Sequence, residues 1–401
     1  MDFNSGLLPY GNKWRLHRKM FHVALNKDAT LEYKTMQLQK VQQLLENMIN
    51  TPKQYDKHFK TMSAAIIMAV TYGYDVAPRH DPFVTKIERF MELFLAVLTP
   101  ERAALLSFVP ILQHIPSWSP GGKYKRRAGE CRALAYDVLN DPVAFVKKKM
   151  AAGTAEKSLV RDLYDKEIGE TANPDLEEDV KAVAATVFLG GAETTDSTLL
   201  VFLLAMILNP DVQAKAQEEI DRVVGTQRLP NFEDRPDLPY VEGVYLETLR
   251  WRPVVPMALP HMTSVSDVYE GMYIPKGAFV LVNIWAMTHD ETRFPDPMAF
   301  KPERHLTPSG TLAAGTTSHS FGFGRRICPG RYMADQAVWA AMVSMLATLR
   351  ISKDKDEFGG EIEVKPEFTT GLSIHPKPFL CSITARSDEA AQLVRESNSG
   401  E

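Results

Sequence analysis

Apolar residues recur at intervals of three and four along most of the first two-thirds of the chain, a spacing that predicts helices. It runs through Trp14–Leu25, Leu31–Ile49, Phe59–Tyr72 and Pro82–Leu98. Between Thr99 and Gly122 the period is lost. Val109-Pro110-Ile111-Leu112 and His114-Ile115-Pro116-Ser117-Trp118 are apolar but broken by prolines, which predicts an exposed hydrophobic loop region. The basic run Lys123-Tyr124-Lys125-Arg126-Arg127 opens the next helix, and a solvated face is enough to explain it. The longest helix candidate, Val180–Leu208, would span about 43 Å at the usual rise per residue. Acidic Glu177-Glu178-Asp179 suits the positive end of its dipole, and Asn209-Pro210 stops it. Apolar on nearly every side, such a helix belongs in an interior.

Helices follow at Asp211–Val224 and Tyr240–Trp251, after which the period changes to two. Val268–Ile274 and Ala278–Ile284, joined by Pro275-Lys276-Gly277, predict a hairpin. A proline-dense meander from Phe294 to Arg304 leads into a Gly-rich loop and a last helix, Arg331–Leu349. Short strands are expected at Glu361–Val364 and Leu380–Thr384. No repeat or linker divides the chain, so residues 1–385 are expected to form a single domain. The polar residues 386–401 are expected to be a disordered tail.

Composition narrows the field. Of 401 residues, 45% are hydrophobic and 24% charged, which is ordinary for a chain that buries a core. Lys+Arg 46 against Asp+Glu 50 leaves −4, so no global charge calls for nucleic acid or an anionic surface. Three cysteines are too few, and odd in number, for a secreted disulfide framework. Met1–Gly6 has neither the basic nor the apolar region of a signal peptide, and uncharged Ser197–Leu208 is too short to cross a bilayer.

Four stretches carry candidate chemistry. In Phe321-Gly322-Phe323-Gly324-Arg325-Arg326-Ile327-Cys328-Pro329-Gly330 three glycines clear side chains from around one cysteine, so a bulky flat ligand can approach the backbone. Arg325, Arg326 and Arg331 favour thiolate over thiol, and the following helix start favours an anion. A cysteine nucleophile is the competing reading, and it would need a histidine base. In Gly190-Gly191-Ala192-Glu193-Thr194-Thr195 two glycines weaken a helix by roughly 1 kcal/mol each. The Thr194 hydroxyl can reach the Gly190 carbonyl and open the helix locally. Taken alone, close helix packing is the better explanation of the glycines. Glu247 and Arg250 share a helix face at i, i+3, and Arg304 from the meander could complete a three-charge network. Trp14 and Arg18, on the first helix, could face an anionic ligand group.

In this order, over essentially the whole chain, these stretches resemble the cytochrome P-450 family, in its fungal microsomal, secondary-metabolite type similar to O-methylsterigmatocystin oxidoreductase. The resemblance implies a mainly α (α+β) fold, a helical core with small β-sheets. It implies heme b (iron protoporphyrin IX) in the loop that Phe321 opens, with Cys328 as axial ligand of the iron. Trp14, Arg18, His261 and Arg326 match the family's contacts to the heme propionates. Thr194 and Glu193 match its oxygen-activating stretch and would deliver protons to O2. Glu247, Arg250 and Arg304 match its structural triad. Electrons would come from NADPH through NADPH–cytochrome P-450 reductase, and the substrate would be a lipophilic small molecule. Val254, Val255, Met257, Ala258 and Leu259, with Leu372 and Ile374, are candidates to line its pocket, or ordinary core. The family normally begins with a membrane anchor, a hinge, two helices and the first strands of a sheet. This chain starts just before the propionate-binding helix, so it reads as N-terminally truncated. The family's place is the endoplasmic reticulum membrane, cytosolic face. Without an anchor a weak membrane-surface contact, or a cytoplasmic location, is expected. The alternative is a heme-binding remnant without turnover. A smaller departure is His305, where the family often has an aromatic residue.

Overall fold

Most helical segments form within a few residues of the bounds that their period sets. The computed structural model describes residues 3–77, 81–97, 105, 108–119, 122–167, 175–316 and 318–399. The helices are α1 Asn12–Leu25, α2 Lys27–Leu31, α3 Lys34–Asn50, α4 Tyr55–Tyr72, α5 Pro82–Val97, α6 Lys123–Ala151 and α7 Leu159–Glu167. They continue with α8 Leu176–Leu208, α9 Pro210–Val223 and α10 Pro239–Trp251. Proline is the first residue of both α9 and α10, where its missing N–H costs nothing and its fixed φ suits the helix. The short α2 arises because the Asn26 side chain accepts from the N–H groups of Asp28 and Ala29. Of the Pro-broken region after α5, the described part includes a 3-10 turn at Pro110–His114, and Phe108, Ile111 and Trp118 are largely exposed. The rest of it lies outside the described residues.

The chain divides into two compact units, residues 1–24 with 67–190, and residues 25–66 with 191–401. In the first, α5 packs on α6, and Tyr74, Phe83 and Phe145 meet edge to face. In the second, α12 (Arg331–Thr348) is buried on nearly every side and packs on α3, α9 and α10. The long helix α8 belongs to both, the boundary falling between Gly190 and Gly191. It is long and apolar enough to cross a membrane, yet 72% of its apolar window is buried within the protein, as in a core helix.

The strands differ from expectation. β1 (His261–Met262) pairs with β4 (Phe279–Val280), and β2 (Asp267–Tyr269) pairs with β3 (Met272–Ile274). The hairpin therefore turns at Glu270-Gly271, not at Pro275–Gly277. Both turn residues have positive φ, 48° and 78°, the geometry whose twist matches two antiparallel strands. The expected second strand ends early, because the Asn283 side chain caps α11 (Ile284–Thr288) through the Ala286 N–H. β6 (Cys381–Ala385) pairs with β5 (Leu349–Lys353), which the period had assigned to the end of the last helix or left unmarked. At Glu361–Val364 there is a single bridge, Lys355 to Glu361, in place of a strand.

The tail corrects the expectation of disorder. Asp388–Ser399 is a helix, α13, that packs on α3. Val394 is fully buried there, and the Asn398 side chain donates to the Gln42 carbonyl at 3.1 Å. Polar on average, the segment is still amphipathic, and one apolar stripe is enough to dock it.

Candidate active site

The loop before α12 is built by its glycines. Gly322 and Gly324 have φ of 72° and 58°, a left-handed conformation that strains any residue with a Cβ. They fold the chain so that the Cys328 N–H donates to the Phe321 carbonyl at 2.9 Å. Gly330, the cap of α12, has an ordinary φ of −86°, and a Cβ there would meet no atom within 4 Å. Neither backbone geometry nor protein neighbours require glycine at that position, so the cleared space invites another group. Arg331 is turned to the backbone, donating to the Cys328 carbonyl at 3.1 Å. Burial raises the thiol pKa of Cys131, and pushes that of Cys381 up to about 12, so both stay protonated. Cys328, half-buried beside a helix start, is the cysteine whose surroundings suit a ligand.

The stretch of α8 from Leu189 to Thr194 is a half-exposed window between buried segments, Val180–Phe188 and Thr195–Ile207. A Cβ on Gly190 would meet nothing within 4 Å, so close helix packing does not explain that glycine. The helix runs α-helical from Leu176 to Leu208. The Thr198 hydroxyl donates back to the Thr194 carbonyl at 2.8 Å, which adds a donor to the helix without removing one. Glu193 accepts from the Ser373 hydroxyl at 2.5 Å, a partner 180 residues away that no local pattern announced.

Glu247 is fully buried on α10 and surrounded by donors. Arg250 reaches it with Nε at 2.7 Å and Nη2 at 2.8 Å, and Arg304 with Nε at 3.1 Å. His305 adds a contact at 3.0 Å, and the Lys301 N–H another at 2.9 Å. Burial pushes the Glu247 pKa up, but the bonds from Arg250, His305 and Lys301 outweigh it and hold the carboxyl below its usual value. Arg250 Nη1 donates to the Thr288 carbonyl of α11 at 2.9 Å, and the other donors of the two guanidinium groups take meander carbonyls, those of Pro295, Asp296, Pro297 and Ala299. A proline-rich segment is short of N–H groups, so these arginines supply the missing donors. His305 is an integral member of the cluster, and its departure from the family's usual aromatic matters more than expected.

In the first unit Trp14 is buried, its ring tilted against that of Tyr10 with centroids 5.0 Å apart, and it lies under the Arg18 guanidinium at 6.0 Å. In the second, His261 sits on β1 opposite Val280, and burial lowers the pKa of half-buried Arg326. The two apolar stretches expected to line a pocket are joined there, the Ile374 N–H donating to the Val254 carbonyl at 2.8 Å. Ala258 within them has φ of 50°, a strained conformation for a residue with a Cβ.

Residues 5–383 match the family model for cytochrome P450. A cytochrome P450 monooxygenase of Armillaria gallica is 38% identical over 397 residues, 98% of this chain and 78% of that protein. The chain belongs to the cytochrome P450 family. Further P450 monooxygenases, of Coprinopsis cinerea and Rhodocybe pseudopiperita, are each 37% identical, covering 98% of this chain and 76% and 75% of their own length. It is accordingly a heme-dependent monooxygenase using O2, an organic substrate and electrons from a redox partner. A match along 98% of the chain, and 78% and 76% of those P450 monooxygenases, does not favour the reading as an inert remnant. The residues fit a heme. Among the described residues no three His, Cys, Asp or Glu side chains converge on a common point. The open space beside Gly330, at the start of α12 next to Cys328, suits a flat macrocycle.

Proposed function

We propose that this P450 hydroxylates a lipophilic small molecule of the secondary-metabolite class, with Cys328 as the axial ligand of heme b and NADPH–cytochrome P450 reductase as electron donor. The observation that carries it is the glycine-built loop around Cys328 at the start of α12. A thiolate-ligated heme supplies O–O cleavage and oxygen transfer to a C–H bond when bound. The chain's own residues do the rest. Trp14, Arg18, His261 and Arg326 offer donors and positive charge for the two propionates. Thr194, in the window of α8, presents a hydroxyl that passes protons toward O2, and Glu193 next to it replenishes them. The apolar side chains of Val254, Val255, Met257, Ala258 and Leu259, with Leu372 and Ile374, hold the substrate and exclude water. Glu247, Arg250, Arg304 and His305 tie the meander to α10 and keep it rigid. The exposed Phe108, Ile111 and Trp118 support contact with a membrane surface, at the cytosolic face of the endoplasmic reticulum.

The test is the ferrous–CO spectrum. Wild type is expected to show the red-shifted Soret band of a thiolate ligand. Cys328→Ala should lose it, whereas Cys131→Ala and Cys381→Ala keep it. A thiolate spectrum in Cys328→Ala would overturn the assignment.

A further inference from the structure

Around Glu193 the second unit gathers polar side chains that the heme-binding reading leaves unused. Ser373, from the loop before β6, donates its hydroxyl to the Glu193 carboxylate at 2.5 Å. Asp196 stands three residues after Glu193 on α8, and residues so spaced lie about 5–6 Å apart at Cβ, a gap one water can span. Asp196 is only 4% exposed, and its described hydrogen-bond partner is its neighbour Ser197, with the hydroxyl at 3.4 Å. Charged groups act on it from two elements, Lys60 on α4 and Glu193 on its own helix. Lys60 itself is exposed, so this end of the cluster meets solvent. His375, two residues after Ser373, interacts electrostatically with both Glu193 and Lys60, and burial lowers its pKa. Ser63, one turn beyond Lys60 on α4, is 1% exposed, and its hydroxyl has no hydrogen-bond partner among the described residues. Such an orphan is the kind of atom an internal water satisfies.

We propose that Ser373 positions the Glu193 carboxylate and that Asp196 is the acid that reprotonates it, so that protons enter beside Lys60, pass from Asp196 to Glu193 one turn away on α8, and go on to Thr194 next to it. The inference rests on the reading of Glu193 and Thr194 as proton donors. Monooxygenation consumes two protons with the two electrons that the reductase supplies. In the step proposed, the Asp196 O–H bond breaks, an O–H bond forms on Glu193, and Asp196 recovers its proton from bulk water. Burial suits Asp196 to this exchange, because it outweighs Lys60 and raises the carboxyl to about 7, near neutral pH. Ser373 acts through Glu193 and is a positioning residue.

The experiment has a spectroscopic arm and a turnover arm. Infrared titration of the ferric holoprotein, without substrate or reductase, is expected to show a protonated carboxyl C=O band that disappears near pH 7 and is missing in Asp196→Asn. Ser373→Ala should shift the Glu193 carboxylate band, and Ser373→Thr should restore it. In turnover with reductase, Asp196→Asn and Ser373→Ala should each lower product per NADPH by roughly 10-fold, at or below the low end of acid–base contributions, with more peroxide released. Ser373→Thr should recover most of that loss. A wild-type titration without such a band overturns the proposal even if Asp196→Asn fails to fold. So does unchanged coupling in Asp196→Asn and Ser373→Ala while Glu193→Gln and Thr194→Ala uncouple. If Glu193→Gln and Thr194→Ala also stay coupled, the proton-supply reading itself is wrong and the inference falls with it.

Discussion

Two buried carboxylates in the second unit, Glu247 and Asp196, carry the same chemical group in opposite surroundings. Glu247 is met by Arg250, Arg304, His305 and the Lys301 N–H, and these hold its pKa below the ordinary value. Asp196 has its neighbour Ser197 and the field of Lys60, and burial raises it to about 7. A fully satisfied buried charge is rigid and stays charged. An under-satisfied one changes charge near neutrality and is mobile in its protons. The first arrangement serves architecture, tying α10 to a meander that lacks N–H donors. The second serves proton exchange.

Breaking the Glu247 cluster should have the largest effect. Glu247→Ala leaves two guanidinium groups without their shared counter-charge, at a cost on the order of 3–5 kcal/mol. The variant is expected to retain little heme, read as the ratio of Soret to protein absorbance. A full complement of heme in Glu247→Ala would show that the cluster is dispensable.

The two carboxylates should also tilt stability against pH in opposite directions. The folded pKa of Glu247 is depressed, so its contribution is present above the unfolded value and lost as pH falls through the folded one. The folded pKa of Asp196 is raised from 3.8 to about 7, so its contribution is present below 3.8 and lost as pH rises through about 7. Asp196→Asn removes that loss. Urea midpoints should coincide with wild type near pH 4 and favour the variant near pH 8, by on the order of 4 kcal/mol. Parallel pH profiles for the two proteins would rule out a raised Asp196.

The smallest of these effects sharpens the comparison within the Glu247 cluster. His305→Ala removes one of several donors and leaves a buried carboxylate oxygen short of a bond, for about 1–3 kcal/mol. Heme should be retained but the unfolding midpoint lowered. No change in midpoint would place His305 outside the cluster.

How much of this could be read from the chain depends on how local the cause is. The helices were legible because an apolar stripe repeats within each segment. The Cys328 loop was legible because the glycines, the cysteine and the helix start lie within ten residues of one another. The pairing of Glu247 with Arg250 follows from i, i+3 spacing, and Arg304 was recognised through the family resemblance. His305 looked like a tolerated substitution, since nothing beside it in sequence shows that its ring meets a carboxylate 58 positions earlier. Asp196 carried a faint signal, an acid at i+3 from Glu193 within an apolar helix.

By itself, then, the sequence determined the helical framework, the ligand loop and the family. These rest on periodicity, on glycine φ preferences and on residue identity at close spacing, all of which act within a few residues. Tertiary structure decided which strand Cys381–Ala385 pairs with, that Asp388–Ser399 folds as a helix against α3, and that Ser373 reaches Glu193. It also set the charge states of Glu247 and Asp196. A carboxylate's pKa is fixed by burial and by donors that arrive from elsewhere in the fold, and that environment exists only once the chain has packed.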